Sequence, residues 1–102
     1  MNKTNNRGEL SYWRNTSGKE VDLIWTQGDY SIGIEIKSAQ KWKPGFNKGL
    51  KLLLEKGIIK KAYGVYLGER KIKERELNIL PVEDFLVQLN KDLLSIQKQT
   101  LY

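Results

Sequence analysis

The chain has 102 residues, 39% of them hydrophobic and 29% charged, with no cysteine and no histidine. That allows one soluble domain and excludes disulfides, thiolate zinc sites, cysteine nucleophiles and histidine-dependent triads. The net charge is +6, but eight lysines against one glutamate from Lys37 to Lys61 give that window +7, a field suited to a polyanion such as nucleic acid, or else a solvated lysine-rich face.

Residues 1–9 read as a polar tail or the start of a fragment, and residues 10–102 as the domain. The amino end is too polar for a signal peptide, and no apolar run is long enough to span a bilayer. No membrane contact and a cytoplasmic location are expected. Leu10–Ser17 has strand-like spacing, and Ser17-Gly18-Lys19 supplies a turn. Glu20–Gln27 alternates, which predicts Val21, Leu23 and Trp25 on one face and Glu20, Asp22 and Ile24 on the other. Gly28-Asp29 marks a hairpin turn. Tyr30–Lys37 is the clearest strand, with Ile32, Ile34 and Ile36 on one face and Gly33, Glu35 and Lys37 on the other.

The period then changes. Pro44 opens a helix whose apolar stripe is Phe46, Leu50, Leu53 and Leu54, and Gly57 caps it. Lys61–Leu67 is a strand entered from this crossover helix, which favours parallel pairing. Gly68–Arg75 is a charged turn, and Glu76–Leu80 a short peripheral strand. Pro81 opens a second helix running to about Lys98, striped with Val82, Phe85, Leu86, Leu89, Leu93 and Ile96. This stripe is also a surface on which a second copy or another protein could dock. The order βββαββα predicts an α/β (α+β) domain, a single mixed sheet with helices packed on it.

Three charged residues stand out among apolar neighbours. Asp22 lies on the second strand, and Glu35 and Lys37 share one face late in the third. Two carboxylates brought close repel one another, and a hard divalent ion such as Mg²⁺ or Mn²⁺ between them relieves the repulsion. A lysine beside that ion steers a water or neutralises a phosphate, so metal-assisted phosphodiester hydrolysis is the natural chemistry. Each residue also has a plain structural reading: Asp22 as a strand-end acid on a turn amide, Glu35 and Lys37 as a charge pair on a solvated face. Trp42, between Lys41 and Lys43, is either a stacking platform for bases or an aromatic cover at the domain edge. Lys48 and Lys51 lie off the apolar stripe and face solvent or a ligand.

An aspartate on one strand, a hairpin, then Glu-x-Lys and a crossover helix resembles the PD-(D/E)xK nuclease superfamily. The wider series runs Tyr12-Trp13-Arg14, Ser17-Gly18, Glu20-Val21-Asp22, Ile34-Glu35-Ile36-Lys37-Ser38, Gly49–Glu55, Val65-Tyr66-Leu67-Gly68 and Leu80-Pro81. In that order, over Leu10–Leu86, it resembles the C-terminal domain of unknown function attached to many prokaryotic AAA-type ATPases. The resemblance implies a restriction-endonuclease-like fold, with an ATPase portion or further copies of the chain as partners. It also implies that Asp22 and Glu35 are metal ligands, the Ile36 carbonyl a third, Lys37 the catalytic lysine, and Mg²⁺ or Mn²⁺ the cofactor. DNA is the expected substrate, held by Lys41, Trp42, Lys43, Lys48 and Lys51. An inherited, inactive form of that site and a non-catalytic DNA-binding or protein-interaction module on the same fold are the alternatives. The family's helix before the first strand, which carries a further glutamate, has no counterpart in Met1–Gly8, and Glu9 is the nearest acid.

Overall fold

The computed structural model describes residues 8–16 and 20–100, with side chains for 8–16 and 21–92. The expected Ser17–Lys19 turn, the tail over 1–7 and the Leu93 and Ile96 side chains lie outside the described residues. Three strands come first, β1 (Glu9–Arg14), β2 (Glu20–Gln27) and β3 (Tyr30–Ile36). They pair antiparallel as a meander. Residues Pro44–Asn47 form a 3₁₀ turn leading into helix α1 (Lys48–Glu55). After it come β4 (Lys61–Tyr66), β5 (Ile72–Glu74), β6 (Leu77–Pro81) and helix α2 (Val82–Thr100). The strands form one mixed sheet in the order β1-β2-β3-β4-β6-β5, with β4 parallel to both β3 and β6.

Strand alternation divides the core in two. On one face Leu50 and Leu53 of α1 meet Val21, Ile24, Ala62, Tyr66, Leu77 and Ile79. On the other, Phe85 and Leu89 of α2 cover Ile32, Ile34, Tyr63 and Val65. Each fully buried leucine contributes about 1.5–3 kcal/mol relative to an exposed one. Gly28 and Gly57 sit at φ 62° and 74°, where the hairpin and the end of α1 need the left-handed region.

Four expectations need correction. Ser11 opposes Ile24 but Trp13 opposes Val21, so two β2 residues face the single Tyr12 and the strand bulges at Asp22-Leu23. The bulge reverses the alternation: Val21 and Ile24 join the α1 face, while Leu23 and Trp25 pack on the other. Next, the α-helix begins at Lys48 rather than Pro44, the proline turn being 3₁₀. The charged turn also contains β5, so the order is βββαβββα, and β6 is interior, between β4 and β5, with Leu77 and Ile79 buried. Finally, Leu86 is 57% exposed and Val82 39%, so the sheet-facing stripe of α2 is narrower than the apolar spacing suggests.

Candidate functional site

The bulge and the end of the ladder set the geometry around Asp22. The last regular β2–β3 pair is Leu23 with Ile34. One step on, side chains replace the backbone partners. The Asp22 N–H donates to Glu35 Oε1 at 3.0 Å, and the Ile36 N–H donates to Asp22 Oδ2 at 2.9 Å. Each carboxylate thus takes an amide from the opposite strand, and the two acids lie side by side. Lys37 Nζ completes the group, 3.3 Å from Glu35 Oε2. The side chains of residues 22, 35 and 37 therefore converge at the carboxyl end of β3.

Their surroundings differ. Asp22 is exposed, whereas Glu35 is 4% exposed, among the few buried polar residues described. Burial, reinforced by the Asp22 charge, raises the Glu35 pKa above its ordinary value, against the pull of the Asp22 amide and of Lys37. Lys37 is anchored at both ends. Its backbone N–H donates to Val65 O at 2.9 Å, and its ammonium sits 5.0 Å from the centre of the Phe46 ring.

The raised Glu35 pKa carries a stability consequence. The folded state holds the Glu35 proton more tightly than the unfolded one, so stability falls as pH rises from the ordinary glutamate range, about 4.3, through the raised folded value. Above that value the loss is complete. In chelator-treated protein, Glu35→Gln is expected to melt above wild type at neutral pH. Each kcal/mol gained appears as roughly 4–8 °C in a domain of this size. The gain should disappear in acid below the ordinary glutamate pKa. A thermal melt series against pH checks it, and a lower melting point for the variant at neutral pH would contradict the assignment.

The donor set can be tested against a metal ion. Two carboxylates and a peptide carbonyl at Ile36 are all hard oxygen donors, suited to Mg²⁺ or Mn²⁺ with water completing the coordination. Among the described residues no group of three or more acids is placed to hold a metal. With only two acids here among the described side chains, an ion would need further oxygens, such as the Ile36 carbonyl and water, to complete its shell.

The residues assigned to nucleic acid fall into two groups. Lys41, Lys43 and Lys48 are exposed, and Lys51, also exposed, pairs with Glu74 at 3.0 Å. Trp42 is instead drawn into the α1-face core. Its Nε1–H donates to Asn47 Oδ1 at 2.5 Å, and it meets Phe46 and Tyr66 edge-on at 5.1 and 5.9 Å between ring centres. It lies against Gly64, where an added Cβ would come within 2.6 Å of the ring. Sequence spacing missed Phe46 as the support for Lys37 and Gly64 as the seat of Trp42. A glycine inside a buried strand was the available signal for the latter.

No curated protein and no solved structure matches this chain. One family model, described as a domain of unknown function (DUF4143), matches residues 1–96. That match spans all but the last few residues, and the chain belongs to the DUF4143 family.

Proposed function

We propose that this domain is nuclease-like: it hydrolyses phosphodiester bonds of DNA with a divalent ion, working beside an ATPase portion. The observation that carries the reading is the convergence of Asp22, Glu35 and Lys37 through the reciprocal amide–carboxylate bonds at the end of β3. In this role Asp22 and Glu35, with the Ile36 carbonyl, hold Mg²⁺ or Mn²⁺. When bound, such an ion offsets phosphate charge and acidifies a water. Lys37, braced by Phe46 and Glu35, presents a fixed ammonium to the negative charge that builds on the phosphate. The exposed lysines Lys41, Lys43 and Lys48 hold the flanking backbone.

Cleavage of supercoiled plasmid with Mg²⁺ or Mn²⁺ tests this. Wild type should nick the plasmid and stop on chelation, and Glu35→Ala and Lys37→Ala should each lose about 100-fold or more. Nicking that survives both substitutions would sink the reading.

A second reading has its own observation. Both Glu35 oxygens are already engaged, by the Asp22 amide and by Lys37. The acids then serve as a clasp between β2 and β3, and the domain binds nucleic acid or a partner protein without cutting. That reading expects no nicking, with DNA binding that falls steeply with salt and survives both substitutions.

A further inference from the structure

The carboxyl ends of β3 and β4 hold more than the acid pair. The segment after β3 (Gln40, Lys41, Trp42) and the segment around the end of β4 (Tyr66 to Arg70) line, together with Ile72, an open cavity of about 770 Å³. Carboxyl ends of parallel strands are where open α/β sheets place their ligands.

The walls are held together by the fold itself. The Leu67 N–H donates to Ala39 O at 2.9 Å, tying one segment to the other. The Tyr66 hydroxyl donates to Arg70 O at 2.8 Å and accepts the Arg70 N–H at 3.1 Å, which closes the second segment over the tyrosine. Gly68 allows the close approach: a Cβ there would lie 2.6 Å from Gln40 O. A pocket fixed by such bonds takes its ligand with little ordering cost.

Its lining is mixed in a particular way. Lys41 and Arg70 are exposed cations in no ion pair among the described residues, and Glu69 is the single acid. Trp42, Tyr66 and Ile72 add apolar surface. The volume is far beyond a lone phosphate and falls in the range of small-molecule pockets, about 300–1,000 Å³. The pocket also adjoins the acid site. Trp42 of its wall stands 5.1 Å from the Phe46 ring, which also has the Lys37 ammonium 5.0 Å from its centre, itself 3.3 Å from Glu35.

We propose that this pocket binds one nucleoside phosphate, the phosphoryl group on Lys41 and Arg70 and the base against the apolar wall. The proposal deepens the nuclease-like reading, on which it rests for the kind of substrate. The same chemistry is offered by an unpaired nucleotide of a strand and by a free nucleotide. A base pair within a duplex does not present it.

The test uses the whole chain in chelator, so that binding is read apart from cleavage. Tryptophan fluorescence or NMR shifts follow titrations with adenosine monophosphate, inorganic phosphate, a 5′-phosphorylated oligothymidylate and a blunt duplex of equal length. Nucleoside phosphates should bind at least tenfold tighter than inorganic phosphate, and Arg70→Glu and Lys41→Glu should each lose tenfold or more. Both variants should keep the wild-type melting point, since both side chains are exposed, and Lys56→Glu, an exposed cation outside the pocket lining, should bind as wild type. Tighter binding of the oligonucleotide than of the monophosphate identifies a strand as the source, and equal binding a free nucleotide; either supports the pocket. Equal affinity for inorganic phosphate, preference for the duplex, or variants that bind as wild type would overturn it. Absent cleavage with intact pocket binding removes only the nuclease reading, and cleavage without pocket binding removes only this one.

Discussion

Gly64→Ala should lower the melting temperature by roughly 8–16 °C, a loss of about 2 kcal/mol in a domain of this size. Alanine is ordinarily the better strand residue, by about 0.5–1 kcal/mol over glycine. Here its methyl would lie 2.6 Å from two carbons of the Trp42 ring. The indole has no easy retreat: Asn47 holds its Nε1, and Phe46 and Tyr66 flank it edge-on. Overpacking must therefore displace the ring or the strand. Displacement also moves Phe46, on which the Lys37 ammonium rests. The clean check is a double-mutant cycle on thermal or denaturant stability. Trp42→Ala alone leaves a cavity and destabilises, but in that background Gly64→Ala should cost nothing and can raise stability. A Gly64→Ala penalty that persists without Trp42 would show that the contact is not its cause.

Trp42 and Gly64 illustrate what could be read from the chain. The alternation of Ile32, Ile34 and Ile36 gave the faces of β3, and with them the shared side of Glu35 and Lys37, because period two is local. The convergence of Asp22 with them was anticipated from order along the chain, but its cause was hidden. The bulge at Asp22-Leu23 carries no glycine or other local marker and shows only in pairing with Tyr12. Without it, Val21 was assigned to the wrong face. β5 was hidden for a related reason: Ile-Lys-Glu has weak strand character and is held by its partner β6. For Trp42, flanked by lysines in a loop, the chain left a base-stacking platform and an aromatic cover both open, and only the strand that receives it favours the cover.

The larger stability effect lies on the opposite face, where spacing along α2 marked only apolar residues. Asp92→Ala should cost about 3 kcal/mol, and α2 should fray. The Asp92 carboxylate, 10% exposed, accepts the Tyr63 hydroxyl, and its Oδ1 meets Lys61 Nζ at 3.4 Å and Gln88 Nε2 at 3.3 Å. Tyr63 is wholly buried and edge-on to Phe85, so its hydroxyl has no route to water. Burial first, then Asp92, raises the Tyr63 pKa well above the usual phenol range, so the hydroxyl remains a donor at every working pH. Removing the acceptor leaves that donor stranded and the neighbouring ammonium uncompensated. Asp92→Asn should cost less, because its amide oxygen can still accept the hydroxyl. The decisive comparison is Tyr63→Phe. In wild type it removes a charge-assisted bond and should destabilise by about 1.5–3 kcal/mol. In the Asp92→Ala background the same change removes the stranded donor and should stabilise. Denaturant midpoints of the four proteins give the sign directly, and amide exchange along α2 shows whether the helix loosens with it. An unchanged sign in the two backgrounds would mean that the Tyr63–Asp92 bond is not what holds α2 on the sheet. A reversal would mean that one buried acid fixes how the last helix lies on the sheet.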